Sequence, residues 1–160
     1  MIVADLQYRS YDAVASAVAN AQRLITAGAE GIKAERGRDI LPQVRAIIES
    51  NIPFVGHLGM LPQHVPEEGG YHVKGETPEQ HEAILADAEA LANAGAFAVV
   101  LELVVASVAR TLSQRLRIPT IGIGAGGGCD GQVLVTQDLL GMLPGHHLKH
   151  VTPSSVLPNR

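Results

Sequence analysis

The chain has 160 residues, 46% of them hydrophobic and 18% charged, with a net charge of −4 and a pI near 5.9. A chain of this size buries one hydrophobic core, and its acidic balance excludes the basic field that nucleic-acid binding requires. With no Trp, 3% aromatics, one cysteine (Cys129) and no long apolar run, the sequence argues against base stacking, a disulfide framework, a leader segment and a membrane span, and fits a reducing cytoplasm.

In chain order, the patterning predicts a strand at 2–5, a helix at 12–27 ended by Gly28, a strand at 31–35, a helix at 38–50 and a strand at 53–57. The polar connection 58–76, with Pro62, Pro66, Gly69, Gly70 and Gly75, reads as a long loop. Thr77-Pro78-Glu79-Gln80 is a capping box with proline at the first helical position, so a helix is expected at 77–93. A strand at 97–102, a helix at 105–116 and a strand at 119–123 follow. Gly124 to Gly131 is a loop, and 132–140 reads as a short strand, a helix, or one then the other. The domain is expected to end at 143, with 144–160 a loosely attached, proline-containing tail.

Four apolar runs end on ionisable side chains, at Asp5, at Lys33 and Glu35, at His57 and at Glu102. Buried strands that stop this way suggest a parallel sheet with its reactive groups at one end, since α/β folds bind ligands beyond the carboxyl ends of their strands. The pattern also repeats. Ala27-Gly28-Ala29 and Ala94-Gly95-Ala96 each follow a helical stretch and precede Glu35 and Glu102 by the same spacing. Glycine after a helix is a common C-cap, which explains the glycines but not two carboxylates at matched depth. Two βα units per repeat account for both. The predicted fold is α/β, of the (β/α)8 barrel type but incomplete, with about six of eight units.

Ala4-Asp5-Leu6, Ile32-Lys33-Ala34-Glu35, Gly56-His57-Leu58-Gly59, Gly69-Gly70-Tyr71, Val100-Leu101-Glu102, Gly122-Ile123-Gly124-Ala125-Gly126 and Cys129-Asp130-Gly131-Gln132-Val133-Leu134-Val135 occur in that order. This ordered set resembles the ketopantoate hydroxymethyltransferase (3-methyl-2-oxobutanoate hydroxymethyltransferase) family, over about residues 2–150. The resemblance implies a barrel of the phosphoenolpyruvate mutase/isocitrate lyase-like superfamily. It also implies transfer of a one-carbon unit from 5,10-methylenetetrahydrofolate to 3-methyl-2-oxobutanoate in pantothenate biosynthesis, with Mg²⁺ as cofactor. Small-molecule partners (the 2-oxo acid and the folate) and a homo-oligomer are expected on the same ground, with neither nucleic acid nor membrane.

Removing a proton beside a ketone requires a group to accept it and a charge to hold the enolate oxygen. By similarity, Asp5 and Glu35 fall on metal-site carboxylates, Asp5 and Lys33 on substrate-binding groups, and Glu102 on the proton acceptor. Lys33 lies two residues before Glu35, so both face one side of a strand, and a structural ion pair with Glu35 is the plain alternative. Glu102 follows the most apolar strand, where desolvation makes a carboxylate a better base; the alternative is a core-edge Glu satisfied by an amide or a lysine. His57 reads equally as a ligand contact or a structural donor and is left outside the site.

Gly122-Ile123-Gly124-Ala125-Gly126-Gly127 fits a dinucleotide-binding spelling, but the helix and distal acid that motif needs do not follow. A flexible loop at the barrel top is the better reading. His146, His147 and His150 lack the partners of a zinc site. The sequence also departs from the family: it has no Gly-Asp-Ser-Leu-Gly, whose Asp and Ser complete the metal and oxo-acid contacts, and Leu6-Gln7-Tyr8 stands where Leu-Pro-Phe is usual. These departures imply weakened turnover, and a non-catalytic fragment or pseudoenzyme needing a partner chain or a longer reading frame is the competing expectation.

Overall fold

The computed structural model describes residues 1–142 and 151. The strands are β1 (Val3–Asp5), β2 (Gly31–Glu35), β3 (Phe54–Gly59), β4 (Ala98–Glu102), β5 (Thr120–Ile123) and β6 (Gly131–Gln132). The helices are α1 (Val14–Thr26), α2 (Leu41–Glu49), α3 (Val65–Glu68), α4 (Pro78–Asn93), α5 (Ala106–Arg115) and α6 (Thr136–Leu139). The strands pair in sequence order, β1-β2-β3-β4-β5-β6, and every pairing is parallel. This is a half-barrel of six consecutive parallel strands, as the strand count predicts, with no helix among the described residues between β5 and β6.

Strand alternation divides the core in two. Ile32, Ala34, Phe54, Leu58, Val99 and Leu101 pack outward against Val44, Ile47, Ile84, Leu91, Val108 and Leu112 of the helices. The opposite face carries a smaller apolar cluster of Val55, Ala98, Val100 and Ile123, joined by Phe97 and Ile121. Residues that continue this inner register toward the strands' carboxyl ends therefore stand above an apolar floor. Lys33, His57 and Glu102 are among them.

The repeat has a structural counterpart. Ala29 N donates to Leu24 O and Ala96 N to Leu91 O, both at 3.1 Å, and Gly28 and Gly95 take φ of 109° and 101°. Both helices thus end in the same left-handed cap, which turns the chain into β2 and β4 with equal spacing to their terminal glutamates. At the start of α4, Thr77 Oγ1 accepts from Gln80 N at 3.3 Å, as the capping box predicts. Gln80 Oε1 accepts instead from Gly75 N (3.1 Å) and Glu76 N (3.0 Å), so it fastens the incoming chain rather than the cap residue.

The connection 58–76 is more ordered than the sequence suggests. It holds a 3-10 turn at Pro62–His64 running into α3, with a proline in the first turn of each. Proline serves there because the first amides of a helix need no acceptor. The connection is then tied to the end of β4 by Lys74 N to Leu103 O (2.8 Å) and Val105 N to Lys74 O (2.9 Å).

After β5 the glycine-rich segment leads to β6, then to α6, so residues 132–140 are strand and then helix. Asp130 Oδ2 accepts from Thr120 N and Thr120 Oγ1, both at 2.9 Å, and those bonds hold its carboxyl below the usual range. Among the described residues the sequential strand order has no reversal and hence no switch point for a dinucleotide. The tail at 144–160, apart from position 151, lies outside the described residues, as do His146, His147 and His150.

Candidate active site

Four adjacent strands deliver side chains from near their carboxyl ends to one polar row. Lys33 Nζ lies 2.6 Å from Asp5 Oδ1 and 2.9 Å from His57 Nδ1. His57 Nε2 in turn lies 3.2 Å from Glu102 Oε2. Asp5, Lys33 and Glu102 therefore share one rim, as their strand-end positions predict, and His57, left aside in the sequence reading, links them. Exposure is graded along the line: the Asp5 side chain is half exposed, Lys33 and Glu102 are mostly covered, and His57 is buried.

The protonation pattern follows from the donors. An ammonium has no acceptor, so His57 Nδ1 must accept from Lys33 and the proton of a neutral ring must sit on Nε2. That Nε2 is within ion-pair distance of Glu102, yet its alignment makes no hydrogen bond, and it counts as a buried polar atom without a partner. Both statements hold together. The distance is right and the angle is not.

Glu102 is fixed through its backbone. Met60 N donates to Glu102 O at 2.8 Å, and a Cβ at Gly59 would stand 2.1 Å from that same oxygen. Gly59 also has φ 95°, so glycine is required twice over for β3 to approach the end of β4 this closely.

Glu35 is differently placed. It does not pair with Lys33, the simple alternative for that residue; it is buried under the 58–76 connection. Both its oxygens accept from Gln63 N at 3.2 Å, and Oε2 also accepts from His64 Nδ1 at 2.8 Å. Arg36 Nε donates to His64 Nε2 at 3.1 Å, which assigns the imidazole proton to Nδ1, on the Glu35 side. Tyr8 meets the His64 ring edge-on at 5.1 Å, and its hydroxyl hydrogen-bonds Glu67, holding the Glu67 carboxyl below its usual range. Tyr11 Oη donates to Glu35 O at 3.3 Å; burial, together with the Glu35 charge, pushes the Tyr11 phenol up to about 12.

Asp5 and Glu102 thus share their line with one ammonium, Lys33, which leaves negative charge for a cation to balance. Asp5 keeps Oδ2 clear of its Lys33 contact, whereas the Glu35 oxygens already have protein donors. Among the described residues no three His, Cys, Asp or Glu side chains converge to cage an ion. Carboxylate oxygen is the donor a hard ion would take, and Asp5 offers one beyond its contact with Lys33. The contacts of His57 and His64 escaped sequence reasoning. Their only signals were the strand parity of His57 with Val55 and the prolines flanking His64.

The family model of ketopantoate hydroxymethyltransferase matches residues 1–156. A 3-methyl-2-oxobutanoate hydroxymethyltransferase of Moorella thermoacetica is 50% identical over 153 residues, covering 94% of this chain and 57% of the relative. The enzyme so named from Thermococcus kodakarensis is 50% identical over 143 residues, covering 89% and 50%. That of Cenarchaeum symbiosum is 48% identical over 143 residues, covering 89% and 55%. The chain spans about half the length of the curated relatives it matches. Among solved structures, one described provisionally as a phosphonomutase from Burkholderia cenocepacia J2315 superposes with a TM-score of 0.52 at 17% identity, covering 75% of this chain and 54% of that one. That likeness speaks for the barrel fold alone. No helix among the described residues is long and apolar enough to cross a membrane.

Proposed function

The chain belongs to the ketopantoate hydroxymethyltransferase family, and on that premise we propose that it transfers a one-carbon unit from 5,10-methylenetetrahydrofolate to 3-methyl-2-oxobutanoate. The product is 2-dehydropantoate, on the route to pantothenate. A cytoplasmic homo-oligomer using Mg²⁺ is part of the same proposal. The observation that carries it is the row Asp5–Lys33–His57–Glu102, each within 3.2 Å of the next, toward the carboxyl ends of four adjacent strands.

Lys33 presents the only ammonium on that line and holds the oxo acid's carboxylate. Glu102, above the apolar floor of Val100 and Ile123, accepts the proton from C3 of the oxo acid. The electron pair left on C3 forms the new bond to the one-carbon unit as one of that unit's two bonds to folate nitrogen breaks; the second breaks as water supplies the hydroxyl, and the two nitrogens take up the proton removed from C3 and the proton left by water. Asp5 and Glu35 are the residues that would hold Mg²⁺, which when bound would supply Lewis-acid polarisation of the ketone. The apolar floor excludes water from the carbanion.

The test is deuterium exchange at C3 of 3-methyl-2-oxobutanoate in heavy water with Mg²⁺ and no folate, followed by proton NMR. Glu102→Gln is expected to lose about 10²-fold or more of the exchange rate, the range for general-base removal. An unchanged rate would remove Glu102 from the base role.

A further inference from the structure

We propose that His57 is the positioning residue for Glu102: a neutral imidazole, locked with its proton on Nε2, that holds Glu102 Oε2 and leaves Oε1 free to receive the substrate proton. This deepens the proposed function and rests on its assignment of Glu102 as the base.

The tautomer is set at a distance from Glu102. Lys33, 2.6 Å from the Asp5 carboxylate, lies 2.9 Å from His57 Nδ1 and occupies it as a donor. The ring therefore has one proton to offer, and it faces Glu102. The ring is held in place: the residue is 3% exposed, its carbonyl accepts from Arg36 N at 3.2 Å, and its strand is in parallel register with Glu35 on one side and Val100 on the other.

Nε2 is the informative atom. It is a buried nitrogen with no hydrogen-bond partner, 3.2 Å from a carboxylate oxygen. A donor buried without a partner is unfavourable, and such groups are rare in cores. A small rotation of the Glu102 carboxylate satisfies it. Catalytic hydrogen bonds are often misaligned in empty sites and tighten when the ligand is bound. The backbone of Glu102 does not have to move for this, because Met60 N, directly after β3, already anchors its carbonyl. β3 thus supports the base twice, by its backbone at Gly59–Met60 and by the His57 ring. The ring also joins the group that holds substrate, Lys33, to the group that takes its proton.

The experiment reads the tautomer and the exchange rate separately. The full chain is labelled with ¹⁵N-histidine, and long-range ¹H–¹⁵N correlation spectra are recorded, with His57 assigned from its loss in His57→Gln. The expected pattern is a neutral ring protonated on Nε2. It persists in Glu102→Gln, because Lys33 still occupies Nδ1, and gives way to a mixture of tautomers in Lys33→Met. In the C3 exchange assay at saturating oxo acid, His57→Leu and His57→Phe are expected to fall about 10²-fold, the cost of a misplaced catalytic group. His57→Gln, whose amide places a donor near the Nε2 position, retains most of the rate.

A wild-type ring protonated on Nδ1, or a ring indifferent to Lys33→Met, overturns the proposal whatever the rates. Leu and Phe variants as fast as wild type overturn it as well. The expected tautomer with no exchange in any variant overturns the base reading of Glu102, and the positioning role falls with it. The tautomer thus tells the two failures apart.

Discussion

Gly59→Ala tests how the site is built without depending on turnover. The new Cβ would stand 2.1 Å from the Glu102 carbonyl oxygen and 2.7 Å from Val104 Cγ2, at a residue whose φ is 95°. The left-handed backbone costs about 1–2 kcal/mol for a residue with a Cβ. Overpacking a fixed contact costs about 1–3 kcal/mol more. The oxygen is the dominant obstacle, since it belongs to backbone already bonded to Met60 N at 2.8 Å and cannot rotate away. The expected loss is therefore about 2–5 kcal/mol, seen in urea unfolding as a lower midpoint at unchanged slope. For a domain of this size that corresponds to a melting temperature lower by about 4–20 °C. Because β4 must retreat to relieve the clash, Glu102 moves with it, and C3 exchange should fall together with stability. A variant within about 0.5 kcal/mol of wild type, the range of a neutral surface change, would refute the close approach of β3 to β4.

Two further outcomes concern the buried network around Glu35. His64→Ala removes the imidazole donor from Oε2 and leaves that carboxylate to the Gln63 amide, so an unfolding free energy lower by about 2 kcal/mol is expected, as for a buried hydrogen bond to a charge; chemical denaturation measures it, and an unchanged midpoint would contradict the Arg36–His64–Glu35 chain. Tyr11, pushed up to about 12 by burial and Glu35, should be the last tyrosine to ionise in an alkaline absorbance titration. Between the ordinary tyrosine value of about 10 and about 12, the folded state binds more protons than the unfolded one, so stability falls as pH rises through that window. Tyr11→Phe should remove that fall, and a variant that loses stability in parallel with wild type would contradict it.

Much of this arrangement was legible in the sequence because parallel strands announce themselves as short apolar runs. A charged residue closing such a run has nowhere to go but the strand's carboxyl end. The caps at Gly28 and Gly95 were legible for a similar reason, since both are local. What escaped was set by contacts between strands. That Lys33 reaches Asp5 and His57, and not Glu35, depends on the stagger of neighbouring strands, which no single segment encodes. Pro62 and Pro66 read as loop punctuation, although proline equally opens a helical turn. The burial of Glu35 followed from that same segment folding over it, a contact 29 residues away along the chain.

The most direct measurement is calorimetric titration of 3-methyl-2-oxobutanoate into the protein with and without Mg²⁺, repeated on Lys33→Met and Glu102→Gln. If the four strand ends make one receptor, the wild type binds a single equivalent in a Mg²⁺-dependent manner, Lys33→Met loses that binding, and Glu102→Gln keeps it. Heat indifferent to Mg²⁺ and to Lys33 would mean that these side chains meet without forming the receptor.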